Sequence, residues 1–378
     1  MKYVEFGNTK CTVSKVGFGG MRFDLKKSEQ DNIDLVKYAF EKGINYFDTA
    51  PHYCEGLSEI IMGKALKDFP RDNFYVTSKI MPTEIVDAED AYNRVRESLS
   101  RLQVDYIDFF HVWCLRKIEH YHLAMQPNGL YEALLRAKNE GLIRHIVCSS
   151  HQPSDEIIKV VENDDFEAIL LGTNILNFPY RHEGILEAKK HNMGVVVMNP
   201  LAGGAIPQNE DKFSFLCKGA PHLTPTEAAL RFTICNKNID VSLNGFSEKE
   251  HIDMACKIAD NELMVGLNEI KQLTTDLGTR FSAICTACGY CDMCPKEIAI
   301  PAFMQYYNEK IMFDLKDEEM VNELTQGFGV MSNSKGQAKD CISCGLCEKK
   351  CTQHLPIMKR LKEINTWFDN FNKKHDLS

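Results

Sequence analysis

Eight short apolar runs alternate with segments of helical periodicity between residues 16 and 259 of this 378-residue chain. Strands that follow one another in this rhythm are joined by crossover helices and form a parallel sheet. Eight of them close into a barrel, so the predicted fold class is α/β with a TIM (β/α)8 barrel. The predicted strands are Val16–Gly19, Tyr46–Thr49, Tyr75–Ile80, Ile107–Trp113, His145–Ser149, Ala168–Thr173, Gly194–Met198 and Val241–Leu243.

Both ends of this pattern are marked in the sequence. Tyr3–Phe6 and Cys11–Val13 flank Gly7-Asn8, a pair that favours a tight turn and predicts a β-hairpin that closes the bottom of the barrel. The alternation stops after about residue 262, where a helical stretch leads into a cysteine-rich tail. We therefore expect two domains, a barrel over 1–275 and a small, mainly helical ferredoxin-like domain over 276–378.

Eight cysteines of the tail form two runs with the Cys-x2-Cys-x2-Cys spacing of two-cluster ferredoxins. Such a triplet wraps three thiolates around one iron-sulfur cube, and the fourth thiolate comes from the other run. The spacing thus predicts two [4Fe-4S] clusters. One would take Cys285, Cys288, Cys291 and Cys351, and the other would take Cys341, Cys344, Cys347 and Cys294. The short spacing before Cys294, and Thr352 where a proline is usual, depart from the ferredoxin pattern.

Zinc is the alternative ligand for these cysteines, because Cys-x2-Cys pairs also hold zinc. The compact triplet favours iron and sulfur, since a zinc ion needs only four thiolates. The first residues lack the apolar run of a secretion signal, and no stretch is long and apolar enough for a membrane span. We therefore expect a cytoplasmic protein without a membrane partner. The net charge of −9 and the lack of a basic stripe exclude a nucleic-acid partner.

Polar side chains stand where three consecutive predicted strands end, at the carboxyl face where barrels carry their chemistry. Asp48 and Lys79 predict a buried ion pair, since neither charge tolerates burial alone. The ammonium is expected to lower the pKa of the nearby Tyr53 hydroxyl, and His111 can orient a carbonyl oxygen. Singly, each residue has a structural explanation. Together the four predict a catalytic site for carbonyl reduction with Tyr53 as general acid and base.

These four residues resemble the Asp, Tyr, Lys and His tetrad of the aldo-keto reductase family in order and placement. Gly56-Leu57-Ser58-Glu59 and the segment 141–146 are also similar to that family, and the resemblance covers about residues 3–262. The tail resembles the branch of the family that carries a C-terminal two-cluster domain. The resemblance implies a nicotinamide cofactor and a small carbonyl or alcohol substrate.

The predicted cofactor contacts lie in loops after the later strands. By family position, the nicotinamide amide would meet Ser149, Ser150 and Asn174. The loops after strands seven and eight commonly hold phosphate in such barrels; their candidates here are Gly203, Gly204, Gly245, Phe246 and Ser247. Ser247 and Glu250 can also form a capping box that needs no ligand. The lysine and arginine that bind a 2′-phosphate in relatives are not matched, so the sequence does not choose between NADH and NADPH.

The leading interpretation is a cytoplasmic NAD(P)H-dependent oxidoreductase that interconverts a carbonyl and an alcohol. Its two clusters would serve electron transfer with a redox partner protein, or stability. A hydride carries two electrons, whereas an iron-sulfur cube passes one electron at a time. Direct coupling between hydride transfer and the clusters would therefore require a flavin, and no feature of the sequence indicates one. The alternatives are a flavin-coupled one-electron reductase and a ferredoxin-like electron carrier or docking protein that keeps the barrel as a scaffold.

Overall fold

The computed structural model describes residues 1–217, 222–261, 265–277, 284–285, 289–313, 315–326 and 335–375. The chain forms two compact units. The first comprises Met1–Leu201 and Ile206–Lys271, and the second comprises Ala202–Ala205 and Gln272–Ser378. The division into functional domains at residue 275 remains a prediction.

The first unit is a closed barrel of eight parallel strands with an antiparallel hairpin before it. The hairpin strands are β1 (Tyr3–Glu5) and β2 (Thr12–Ser14). The barrel strands are β3 (Val16–Gly19), β4 (Tyr46–Asp48), β5 (Tyr75–Ile80), β6 (Ile107–Leu115), β7 (Ile143–Ser150), β8 (Ala168–Gly172), β9 (Gly194–Met198) and β10 (Val241–Asn244). They pair in sequence order and β10 returns to β3, so the predicted barrel and all eight of its strands are confirmed.

The predicted hairpin lies against the amino-terminal end of the barrel. Phe6 is fully buried in a core cluster with Tyr46 and Phe109, and its ring meets that of Phe109 edge to face at 5.0 Å between centroids. Gly194 opens β9 directly under this ring, where an added Cβ would stand 2.4 Å from a Phe6 carbon. The close approach therefore requires glycine at residue 194, and the expected closure of the barrel's bottom is confirmed.

Helices follow the barrel strands and cover them on the outside. In the first unit they are α1 (Glu29–Glu41), α2 (Ser58–Leu66), α3 (Ala88–Leu102), α4 (Ile118–Ala124), α5 (Leu130–Asn139), α6 (Ser154–Val161), α7 (His182–Lys190), α8 (Ala205–Gln208), α9 (Pro225–Ile234), α10 (Lys249–Asp260) and α11 (Leu267–Leu277). The helices α8 and α11 extend into the second unit. Side-chain caps fix several starts: Ser28 accepts the Asp31 N–H before α1, and Asp87 accepts the Asp90 N–H before α3.

The second unit is mainly helical where it is described. Its helices are α12 (Ile300–Phe313), α13 (Asp317–Gln326), α14 (Leu346–Lys350) and α15 (Ile357–Lys374). Its apolar core includes Phe303, Leu361 and Trp367, and six of the predicted cluster cysteines lie in or against that core. Among the described residues, no helix is long and apolar enough to cross a membrane.

Candidate active site and cysteine cluster

Asp48 and Lys79 form a buried ion pair at the carboxyl ends of β4 and β5. The Lys79 Nζ lies 2.6 Å from the Asp48 Oδ1 and 2.6 Å from the Thr49 carbonyl oxygen. Thr77, two residues before Lys79 on the same strand, donates its hydroxyl to the same carboxylate oxygen at 2.7 Å. Burial lowers the pKa of Lys79, and the carboxylate of Asp48 opposes that shift. The pair therefore holds a fixed charge arrangement in a dry environment.

His111 stands beside Lys79, because β5 and β6 pair these two residues in register. Its ring is buried, and its Nε2 lies 4.0 Å from the Asp48 Oδ1. Within the described part of the chain, neither ring nitrogen has a partner at hydrogen-bond distance, although the Cys148 carbonyl is close enough to act on its pKa. Burial and the neighbouring Lys79 hold the pKa of His111 well below its ordinary value. The imidazole is thus neutral near pH 7 and can donate one N–H.

Tyr53 reaches the same place from the loop after β4. It begins a short 3-10 turn, Tyr53–Gly56, in which Cys54 and Glu55 both adopt positive φ angles of 53° and 56°. This tight turn brings the ring back over the barrel, where the Lys79 Nζ lies 5.0 Å from its centroid. Trp113 meets the ring edge to face at 5.6 Å between centroids. The structure therefore assembles all four residues that the sequence singled out.

The lowered pKa expected for Tyr53 is wrong in direction. Burial raises the pKa of Tyr53 well above its ordinary value, with Asp48 adding to the shift and Arg22 opposing it. The Lys79 ammonium is bonded to Asp48 and to the Thr49 carbonyl. Desolvation of the phenolate consequently outweighs the attraction of the cation.

A second buried network supports these strand ends, and it starts in the Ser58-Glu59 segment that resembles the family. The Ser58 hydroxyl lies 2.6 Å from the Thr49 hydroxyl and donates to the Gly20 carbonyl at 2.8 Å. The fully buried Glu59 accepts the hydroxyl of Ser78 at 2.5 Å, and its other oxygen binds Arg101. Residues next to Asp48 and Lys79 in the chain are thereby fixed.

The three predicted nicotinamide contacts differ in how many hydrogen-bonding groups they have left for a ligand. The Ser149 hydroxyl accepts the Cys114 N–H at 2.9 Å, and its own hydrogen has no acceptor among the described residues. The Ser150 hydroxyl is instead bonded to Gln152 at 2.9 Å. The Asn174 side chain accepts the Leu176 N–H within its own turn and donates to the carbonyl of Asn199, after β9, at 3.0 Å. Ser149 is thus the best placed of the three to meet an amide oxygen.

The two candidate phosphate loops show contrasting features. Gly203 and Gly204 both have positive φ angles, 72° and 95°, which glycine adopts without strain. Gly245 lies so close to Arg22 that a Cβ would stand 2.8 Å from its Cγ. Phe246 is buried against Phe18 at 5.6 Å between centroids, which makes its ring part of the core.

The predicted capping box of Ser247 and Glu250 is wrong. The helix α10 begins at Lys249 with Glu248 as its N-cap, and no side chain caps it. The Ser247 hydroxyl lies 3.4 Å from the His251 Nδ1 instead. The Lys27 ammonium lies 2.9 Å from the Ser247 carbonyl oxygen and 2.6 Å from Glu248.

A cavity of about 280 Å³ adjoins the tetrad and reaches Lys79. Trp113, His52 and the α3 residues Arg94 and Arg101 are among its lining residues. Tyr53 and His111 are not among them.

Four of the predicted cluster cysteines line one pocket of the second unit. They are Cys341, Cys344, Cys347 and Cys294, of which the last comes from the other run. Gly345 lies within this loop at a φ of 74°, and nothing stands within 4 Å of where its Cβ would be. The grouping fits the ligand set of one cube, in which four thiolates bind four separate irons.

The structure describes three of the other four cysteines. Cys291 and Cys351 are buried in the core, and Cys285 lies against it. Cys351 accepts the Leu355 N–H on its sulfur at 3.4 Å, and Asn308 binds both the N–H and the carbonyl of Cys285. Cys288 lies outside the described residues.

The described cysteines are not arranged around a single metal ion. Over the ranges that the structure describes, no group of three or more His, Cys, Asp or Glu side chains is placed to hold one ion. A cube differs from a zinc ion in this respect, because each of its thiolates binds a different corner of a much larger body.

The fold and the residues on its strands indicate a family of enzymes, and comparison with known proteins identifies that family. The model of the aldo/keto reductase family matches residues 15–264, and the chain belongs to this family of oxidoreductases. A 4Fe-4S dicluster domain model matches residues 284–356, which supports iron and sulfur over zinc.

Curated relatives resemble the barrel part of the chain. L-galactose dehydrogenase of Arabidopsis thaliana is 30% identical over 304 residues, covering 72% of this chain and 90% of that protein. The NADH-specific methylglyoxal reductase of Escherichia coli is 28% identical over 233 residues, covering 54% of this chain and 69% of that protein. Among solved structures, the holo form of aldo-keto reductase AKR11C1 from Bacillus halodurans is 24% identical and superimposes with a TM-score of 0.60. The match covers 73% of this chain and 96% of that chain, and it supports the fold.

Proposed function

We propose that this protein interconverts a small carbonyl compound and its alcohol with a nicotinamide cofactor, at the site formed by Asp48, Tyr53, Lys79 and His111. The observation that carries the proposal is the contact geometry of these side chains, which come from three consecutive strands and the loop after β4. A protonated phenol and a neutral imidazole both lie next to a buried ion pair. This combination donates hydrogen bonds to one oxygen atom and excludes water from it.

In the direction of reduction, Tyr53 donates its proton to the carbonyl oxygen as that oxygen gains negative charge. The neutral His111 donates a hydrogen bond to the same oxygen and fixes its orientation. Lys79 lies beneath the Tyr53 ring and stabilises the phenolate that remains. Asp48 holds Lys79 in position. In the reverse direction, the Tyr53 phenolate removes the proton of the alcohol.

The cofactor supplies hydride when bound, and the described residues fit a nicotinamide in part. The Ser149 hydroxyl hydrogen is available to an amide oxygen, and Asn174 keeps one of its two amide hydrogens beyond the bond to Asn199. Ser150 is occupied by Gln152. We propose Ser149 and Asn174 as the amide contacts.

Hydride transfer is tested with NADH and NADPH deuterated at C4 of the ring, supplied without oxygen to the intact protein. The candidate acceptors are small aldehydes and aldoses, the classes named for the relatives above. We expect an alcohol that carries deuterium on the former carbonyl carbon, because transfer within the site is direct. An alcohol without deuterium would mean that electrons pass through another carrier, and no turnover with the whole panel would remove the reductase proposal.

We further propose that the second unit holds two [4Fe-4S] clusters with crossed ligands, as the spacing predicts. The pocket that joins Cys294 to the Cys341 run supports this assignment. A bound cube supplies one electron at a time. Cluster ligands must be thiolates, which favours a reducing compartment and hence the cytoplasm. We place the domain boundary near residue 275, between the ranges matched by the two family models.

The crossed assignment predicts that Cys294→Ala and Cys344→Ala damage the same cluster. Each single variant should retain about four of about eight irons, and the double variant should also retain about four, because both cysteines serve one cube. Iron and sulfide analysis with paramagnetic resonance of the reduced protein measures this. Cys217→Ala is the matched control and should keep all iron, since Cys217 lies in neither run. A double variant with almost no iron would place Cys294 on the other cluster.

A further inference from the structure

A second group of reactive side chains lies at the amino-terminal end of the barrel, at the opposite end of the strands from the tetrad. Cys11, one residue before β2, is partly exposed, and its sulfur lies 3.6 Å from the Nε2 of His145. This is within hydrogen-bond reach for a sulfur atom. His145 is the third residue of β7, at the opposite end of that strand from Ser149 and Ser150.

A carboxylate holds the other side of the same imidazole. The His145 Nδ1 lies 2.7 Å from the Glu167 Oε2. Glu167 is fixed in turn by the Lys138 ammonium at 2.7 Å. The ring of His145 stacks on Phe109 at 5.2 Å between centroids, so it cannot swing away from the sulfur. Thiol, imidazole and carboxylate thus stand in the order that activates a nucleophile.

His145 and Glu167, the two groups that follow the sulfur in this arrangement, are both charged at neutral pH. Burial opposes a charge on His145, but its hydrogen bonds with Cys11 and Glu167 outweigh burial and raise its pKa to about 9. Burial likewise opposes ionisation of Glu167, whose bonds with His145 and Lys138 nevertheless lower its pKa to about 2. His145 is therefore an imidazolium at neutral pH, and a cation beside a sulfur stabilises negative charge on it.

The other groups near the sulfur carry no charge. The Thr9 carbonyl lies 3.7 Å from the sulfur, and the Thr9 hydroxyl accepts the Cys11 N–H. The Tyr75 phenol is near the thiol, and burial raises its pKa, so it stays neutral. The one net cation that faces the sulfur among these groups is the imidazolium.

We propose that Cys11 is a modification site at which small disulfides form a mixed disulfide with the protein. The Cys11 thiolate attacks one sulfur of the disulfide, a new sulfur–sulfur bond forms, and the old one breaks. The departing thiolate takes the proton of the His145 imidazolium and leaves as a thiol. The cysteine is oxidised, half of the disulfide is reduced, and no further reactant is required.

The test uses the intact, iron-loaded protein without oxygen and two probes, oxidised glutathione and iodoacetamide. Brief exposure at neutral pH is followed by digestion and mass spectrometry of each cysteine peptide. Cys54 and Cys217 are controls within the same chain, since both are partly exposed and burial raises the pKa of each. We expect Cys11 to react at least about tenfold faster than either, because the thiolate is the reacting form.

Two variants separate activation from mere exposure. In His145→Gln, Cys11 should fall to the rate of the controls, because the cation is gone while the side chain still fills the space. In Glu167→Gln the rate should fall part of the way, because the imidazole stays but loses its anion. Equal rates for Cys11 and the controls in the wild type, or an unchanged Cys11 rate in His145→Gln with native circular dichroism, would overturn the proposal.

Discussion

The Tyr53→Phe variant is expected to lose carbonyl reduction by roughly 100- to 10,000-fold in kcat, because the exchange removes the proton donor and little else. The Tyr53 ring packs against Trp113 and over Lys79, and phenylalanine preserves both contacts. KM should therefore change much less than kcat. The measurement is anaerobic steady-state oxidation of the reduced nicotinamide with the best substrate of the deuterium panel.

The matched control is Tyr38→Phe, since the Tyr38 hydroxyl bonds the exposed Asp253 on the outer helices and not the site. It should keep wild-type turnover. The pH profile gives a second readout: the pKa of Tyr53 is raised and that of His111 is lowered, so one stays protonated and the other neutral. Wild-type reduction should consequently vary little between about pH 6 and about pH 9. Unchanged turnover in Tyr53→Phe would contradict the assigned role and favour an electron carrier with the barrel as scaffold.

The barrel was predictable because its local and global signals agree. Buried parallel strands such as β8 and β9 read as continuous apolar runs, and turns and helical segments separate them. The hairpin was readable from Gly7-Asn8 for the same reason. In the tail, the sequence predicted the helical character and the grouping of Cys294 with the Cys341 run, but it did not predict helix bounds.

The placement of the candidate site residues was predictable, and their electrostatics were not. The strand ends place Asp48, Lys79 and His111 side by side through strand register, which follows from sequence. The pKa of Tyr53 depends on desolvation, which is a property of the finished packing and therefore gave the opposite sign. Thr77 was missed as a partner of Asp48, although its position two residues before Lys79 puts it on the same strand face.

Loop residues were the least predictable part, because polar side chains there can satisfy one another. The Asn174 side chain accepts the Leu176 N–H within its own turn, and Lys27, distant in sequence, binds the Ser247 carbonyl. Phe246 was a candidate cofactor contact and is buried against Phe18. Each outcome depends on a neighbour that the loop sequence does not reveal.

The Lys79→Met variant is expected to lose both activity and about 3–5 kcal/mol of unfolding free energy, the usual cost of removing one partner of a buried ion pair. Methionine fills nearly the same space, so the loss comes from the carboxylate of Asp48, which stays buried with the Thr77 hydroxyl as its remaining donor among those described above. Unfolding by urea is followed without oxygen by tryptophan fluorescence. Trp113 and Trp367 are the two tryptophans, so a Trp367→Phe background makes Trp113 the reporter of the barrel.

The double variant Lys79→Met with Asp48→Asn separates charge from packing. It removes the orphaned carboxylate, and we expect it to recover most of the lost stability because a neutral amide is far less costly to bury than a carboxylate. Activity should remain low, since the cation beneath Tyr53 is still missing. This result would show that the barrel remains stable without the ion pair of Asp48 and Lys79, whereas proton transfer requires it. A double variant no more stable than Lys79→Met would mean that the cost arises from packing around residue 79 instead of from the buried charge of Asp48.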